Sequence, residues 1–174
     1  AKAYVSADKE VNSEEEAIAG AVDILAEAYA DNADYRKKIR DLTRQKGTLI
    51  SVAKNPDEKS VYEMYYDFKE PVNKAVGYRI LAINRGEAEK ILNVKIEPPH
   101  DEIVGYLLKQ TIVRPEHDSA AYIEQAVRDS YDRLIAPSIE REIRNELTEQ
   151  AEEGAINVFG KNLHQLLMQP PVSG

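Results

Sequence analysis

The sequence predicts a mainly α fold with a minor β part: a multi-helix domain with one short two-stranded β element and a long C-terminal helix. Three observations predict it. Apolar residues recur at helical spacing through most of the 174 residues. Only two short stretches, Thr48–Val52 and Asn93–Glu97, read as strands. An apolar residue then returns at every fourth position from Ile139 to Leu167, with no proline between.

In chain order, a first helix is expected to begin at Asn12-Ser13. Ser13 and Glu16 have capping-box spacing, and Glu14, Glu15 and Glu16 suit the positive end of a helix dipole. Its apolar stripe is Ile18, Ala21, Val22, Leu25 and Tyr29. A second helix, about Asp34 to Gln45, carries Tyr35, Ile39 and Leu42, with Gly47 as its stop. The β-branched run at 48–53 follows, and Asn55-Pro56-Asp57 turns the chain. Val61–Phe68 is ambiguous in period and reads slightly better as a short helix capped by Asp57 and ended by Pro71. Tyr78–Leu92 is helical, with a break or bend expected near Arg85-Gly86, since Gly costs about 1 kcal/mol against Ala. The strand at 93–97 stops at Pro98-Pro99 and is the natural partner of 48–53. Ile103, Leu107 and Leu108 mark a short helix, and Asp118 or Ser119 caps another whose stripe runs from Ala121 to Ile135. Pro137 suits the first turn of a last helix reaching Met168. This division expects residues 1–136 to form a helical domain and 137–169 a long scaffold helix.

A four-residue repeat exceeds one turn, so the stripe on that last helix rotates by about 40° per step. Its first half should then meet one neighbour and its second half another. Leu163, Leu166, Leu167 and Met168 are the candidate interface. Either this chain's own short helices wrap that end or its cover lies outside the sequence. The chain opens on Ala1 and closes on Pro170-Pro171-Val172-Ser173-Gly174, a linker-like end that reads as a cut from a longer protein.

Composition excludes several classes. Cys is absent, which removes disulfide scaffolds, Cys-ligated metals and thiol nucleophiles. No apolar run is long enough for a membrane span, so a cytoplasmic protein is expected. His100, His117 and His164 stand far apart without ligand spacing, so no metal or other cofactor is expected. No G-x-S-x-G, G-x-G-x-x-G or phosphate-cradling G-K-S/T occurs, and Glu140–Arg144 reads as ordinary i,i+4 pairing, so no enzymatic role is expected.

The net charge of −8 argues against a surface built throughout for phosphates. It is unevenly spread. Between Asp31 and Lys54, seven cations face three carboxylates, whereas residues 1–30 and 137–174 are acidic. Arg36, Lys37, Lys38, Arg40, Arg44 and Lys46, with Arg79 and Arg85 further on, are the candidate nucleic-acid contacts. The competing reading pairs this basic face with the acidic first helix.

Three stretches carry a family resemblance. They are Leu81-Ala82-Ile83-Asn84-Arg85-Gly86-Glu87, Ala136-Pro137-Ser138-Ile139-Glu140-Arg141-Glu142-Ile143-Arg144-Asn145-Glu146-Leu147, and Asn162-Leu163-His164-Gln165-Leu166-Leu167-Met168-Gln169-Pro170-Pro171. Together with Ala1–Val5 and Glu10–Ser13, they resemble the Tex family of bacterial transcription accessory proteins over nearly the whole chain. Gly160 and His164 depart from the family pattern. The resemblance implies a piece of a longer protein that also holds an RNase H-like domain, helix-hairpin-helix repeats and an S1 domain, with this segment just before the RNase H-like domain. It implies nucleic-acid binding largely through the S1 domain and an effect on transcription. A non-catalytic structural role beside the protein's own RNase H-like domain is therefore expected, with nucleic acid bound weakly or not at all by this segment. The alternative is a docking module for RNA polymerase or another transcription component.

Overall fold

The computed structural model describes residues 2–171, with side chains described from Ser13 onward. The readings placed on Ala1 and on Val172-Ser173-Gly174 lie outside the described residues. The chain forms two compact units: the residues up to Leu42 together with Pro99–Ile139, and Thr43–Pro98 together with the chain from Glu140.

The first unit is helical. Helix α1 spans Lys2–Ala30, so the expected start at Asn12-Ser13 is wrong: no Gly or Pro interrupts residues 2–19, and the helix runs through the capping-box sequence. Its buried stripe is also corrected. Val22, Ala26 and Ala30 are buried, while Ile18 and Leu25 are exposed. Small residues at those positions let α1 lie close against α5 (Ala120–Asp129) and the turn after it, where Ala126, Val127, Ser130 and Tyr131 are buried in turn. The Ser130 hydroxyl donates to the Ala26 carbonyl at 2.7 Å. Helix α2 (Ala33–Lys46) is capped by Asn32, whose Oδ1 accepts from the Asp34 and Tyr35 amides at 3.0 and 3.1 Å. It buries Ile39. Helix α4 (His100–Thr111) adds Ile103, Val104 and Leu107 to this core. Each such aliphatic side chain contributes about 1.5–3 kcal/mol by leaving water.

No break separates the last two helices. Ser130–Ile135 is a π-helical turn that joins α5 directly to α6 (Ala136–Met168). Pro137 accounts for it: the ring has no N–H to offer the Arg133 carbonyl and crowds it. The ladder widens instead, and the Ala136 amide donates five residues back, to Tyr131. Helix α6 passes through Gly160 and His164 without interruption.

The second unit is a small antiparallel sheet packed with helices. Strand β1 (Thr48–Ala53) is central, with β2 (Asp67–Pro71) on one side and β3 (Leu92–Glu97) on the other. The expected pair is present, with Leu49 opposite Ile96 and Ser51 opposite Val94. The third strand is a correction. Val61–Phe68 is not a helix: a 3-10 turn at Glu63–Tyr65 leads into β2, which pairs Phe68 with Ser51. Charged Lys69 and Glu70 and the terminal Pro71 suit an edge strand and hid it from pattern reading.

Helix α3 (Gly77–Ala88) runs straight through Gly86, where a break was expected. The glycine serves packing: a Cβ there would lie 2.5 Å from Leu92 Cδ1 and 3.2 Å from Tyr62 Cγ. The helix ends at Lys90, which takes φ 63° while Ile91 and Lys90 donate to the Gly86 and Glu87 carbonyls, a Schellman closure. Leu49, Leu92, Ile83 and Ile143 are buried almost completely at the centre of this unit.

Candidate functional site

The second unit contains the richest polar arrangement among the described residues. Arg144, on the part of α6 that faces α3, donates from Nη2 to Glu87 Oε1 at 2.8 Å and from Nη1 to Glu87 Oε2 at 3.2 Å. The same Nη2 reaches Asn84 Oδ1 at 3.0 Å. Asn84 Nδ2 donates to Thr148 Oγ1 at 2.9 Å, and that hydroxyl donates back to the Arg144 carbonyl at 2.9 Å. Two residues on, and so on another side of α6, Glu146 takes the fork of Arg44 from α2, with Nε 2.9 Å from Oε2 and Nη2 on Oε1. Glu140 Oε1 accepts the Ile96 amide at 3.0 Å. Glu140 and Arg144 thus serve different partners, and the surface i,i+4 pair expected from the sequence is not made.

This is a clamp. Two bidentate Arg–carboxylate pairs fix geometry as well as charge, and the Arg144 side chain is only 18% exposed. Gly77 completes the fit, since a Cβ there would stand 3.3 Å from Ala151 Cα across the contact of α3 with α6. The arrangement ties α6 to α2, α3 and β3. Sequence reasoning missed it, although Asn84, Glu87, Arg144 and Glu146 all stand inside the stretches that carry the family resemblance.

The eight predicted cationic contacts fall into both units. In the first unit, Arg36 is half-buried, with Nε on the Ala30 carbonyl and Nη1 3.0 Å from Ser138 Oγ. Arg40 is half-buried, and Lys37 and Lys38 are exposed. Lys38 Nζ lies 6.0 Å from the Tyr106 ring centroid. Asp34 and Asp41 stand three and four residues from both lysines along the same face of α2, so that ridge is balanced in charge. In the second unit, Arg44 belongs to the clamp and Lys46 is exposed on the last turn of α2. Arg79 donates to Glu70 at 3.1 Å and packs over the Phe68 and Tyr78 rings. Arg85 is exposed near Tyr62, whose hydroxyl is held above its ordinary pKa by its hydrogen bond to Glu89 and then by burial, with Arg85 opposing.

The far end of α6 is different again. From Glu152 to Met168 every residue is exposed, including Ile156, Phe159, Leu163, Leu166, Leu167 and Met168. A groove of about 670 Å³ runs where this end passes the start of α3, lined by Val76, Tyr78, Leu81, Val158 and Phe159. Among the described residues no group of three or more His, Asp or Glu could hold a metal ion, and no helix is long and apolar enough to cross a membrane. His100 instead sits 3.0 Å from Asp132 and against the Tyr131 ring, and His117 bonds Ser119.

Residues 1–159 match the model of a family described as Tex central region-like. Among curated proteins, the chain is 51% identical to Uncharacterized protein YdcI of Bacillus subtilis, over 98% of this chain and 24% of that protein. It is 30% identical to Transcriptional accessory protein Tex of Neisseria gonorrhoeae, over 89% of this chain and 21% of that protein. It is 33% identical to human S1 RNA-binding domain-containing protein 1, over 89% of this chain and 17% of that protein. The chain therefore spans about a quarter or less of the length of these relatives.

Proposed function

This chain belongs to the Tex central region-like family, and from that premise we propose that it is a non-catalytic scaffold segment of a Tex-like, cytoplasmic transcription accessory protein. The observation that carries the reading is the clamp. Arg144 is spent on Glu87 and Asn84, Asn84 also on Thr148, and Glu146 on Arg44. These contacts tie residues 140–148 of α6 to the rest of the second unit, while every residue from Glu152 to Met168 is exposed, many of them apolar. A helix of 33 residues, about 50 Å long, is suited to carrying neighbouring modules such as the protein's own RNase H-like domain. Nucleic-acid binding and the effect on transcription then belong to other parts of the protein. The 36–46 face makes at most a secondary contact through Lys37 and Lys38.

Fluorescence anisotropy with single-stranded DNA and RNA at ~0.15 M salt tests this. The scaffold reading expects no saturable binding by this chain at micromolar concentration. Tight saturable binding that weakens on Lys37→Glu with Lys38→Glu would reassign the chain as a nucleic-acid-binding module.

A second reading is favoured by the exposed apolar end of α6: docking onto RNA polymerase or another transcription component. Capture of purified polymerase by this chain, lost on Phe159→Asp, would support it over the scaffold.

A further inference from the structure

The first unit carries a groove that neither the clamp nor the α6 arm uses. It lies between α1 and α5, with a volume of about 410 Å³. Ile18, Ala19, Val22 and Tyr122 form an apolar floor, and Glu15, Asp23 and Asp129 stand around it. Val22 is buried by the helix contact itself, but Ile18 remains 39% and Tyr122 45% exposed.

Charge selects the occupant. From Ser13 to Ala30, α1 carries Glu14, Glu15, Glu16, Asp23 and Glu27 and no Lys or Arg at all. One cation from α5 and its continuation answers part of this set: Arg133 pairs with Asp129 at 3.0 Å and lies near Asp23 and Glu27. Arg128 is turned to Glu124 on its own helix. Among the described residues no cation lines the Glu15 end of the groove, beside exposed Ile18 and Tyr122.

We propose that the α1–α5 groove docks a cationic amphipathic helix, a protein segment with aliphatic side chains along one face and Lys or Arg along the other. Its aliphatic face lies on Ile18 and Tyr122, and its cations reach Glu15 and Asp23. Those two carboxylates are about 12 Å apart along the axis of α1, which matches a helix of two to three turns lying in the groove. Burial of the floor supplies affinity, and the acidic rim supplies register and salt dependence.

The test uses a fluorescein-labelled Leu/Lys amphipathic peptide of about four helical turns, titrated with the whole chain at ~0.05 and ~0.15 M salt. Ile18→Ser and Tyr122→Ala keep the net charge and alter exposed positions; each is expected to weaken binding about 3–10-fold. Glu15→Gln with Asp23→Asn should weaken it by a similar factor and flatten the salt dependence. Glu152→Gln with Glu153→Gln removes the same charge from α6 and should leave affinity unchanged. The proposal is overturned if the two charge pairs act alike, if Ile18→Ser and Tyr122→Ala have no effect, or if a scrambled peptide of equal charge binds as tightly.

Discussion

Ser130 Oγ donates to the Ala26 carbonyl at 2.7 Å, between two residues that are both 0% exposed. The bond crosses from the π turn to α1. A serine mid-helix ordinarily bonds back along its own helix; here the widened turn aims it at a neighbour. Ser130→Ala should cost about 1 kcal/mol, the usual net value of such a bond, and lower the melting temperature by roughly 2–4 °C. Ser130→Leu should cost more, because α1 leaves no room for the added carbons. A larger loss from Ala than from Leu in thermal melts would contradict this packing.

Gly86→Ala is expected to destabilise the chain although Ala is the better helix former by about 1 kcal/mol. The new methyl would meet Leu92 Cδ1 at 2.5 Å, Leu92 Cγ at 2.9 Å and Tyr62 Cγ at 3.2 Å, and Leu92 is 0% exposed. Overpacking of this kind costs about 1–3 kcal/mol. Gly86→Ala combined with Leu92→Ala should be less destabilised than the single effects summed. Strict additivity in urea unfolding would refute the clash.

Arg144→Met removes the centre of the clamp while keeping much of the aliphatic stem. A loss of about 1–2 kcal/mol is expected, moderated because Glu87 is 42% exposed and can recover water. A double-mutant cycle with Glu87→Gln should give a coupling of about 1 kcal/mol. The same cycle between Arg144→Met and Glu89→Gln should give none.

Burial, and then the neighbouring Tyr35, raises the Tyr29 hydroxyl pKa above 10.0. The folded state therefore holds that proton when the unfolded state has begun to lose it, so stability falls as pH rises above about 10. Tyr29→Phe has no such proton. The stability difference between wild type and Tyr29→Phe should be flat below pH ~9 and move against wild type above pH ~10. A difference that stays flat through that window would show the ring to be solvated.

Much of the fold is legible in particular residues. The β-branched run from Thr48 names β1, and the alternation at Asn93–Glu97 with Pro98 behind it names β3, because period and punctuation are local properties. The same locality explains the failures. Strand β2 depends on pairing with β1, and its Lys69 and Glu70 follow an edge strand's needs rather than an apolar pattern. Gly86 looked like a break because its reason, Leu92 and Tyr62 pressing on the helix, is a contact across the fold. The clamp was invisible for that reason too: Arg144 has Glu140 at i,i+4 in sequence, yet its partners Glu87 and Asn84 are 57 and 60 residues away.

By itself the sequence determined the helical class, the family resemblance, the strand pair, and the length of α6 with its apolar end, since all of these are written in composition, motif and spacing. That no other part of the described chain covers that end came from the structure. Only the tertiary structure decided what the charges do. A sum over residues 31–54 counts every cation alike, whereas folding turns Arg36 and Arg44 inward to a hydroxyl, a carbonyl and a carboxylate. Lys37 and Lys38 are left outward, beside Asp34 and Asp41. Charge partners are chosen by distance in space, and that quantity exists only once the chain has folded.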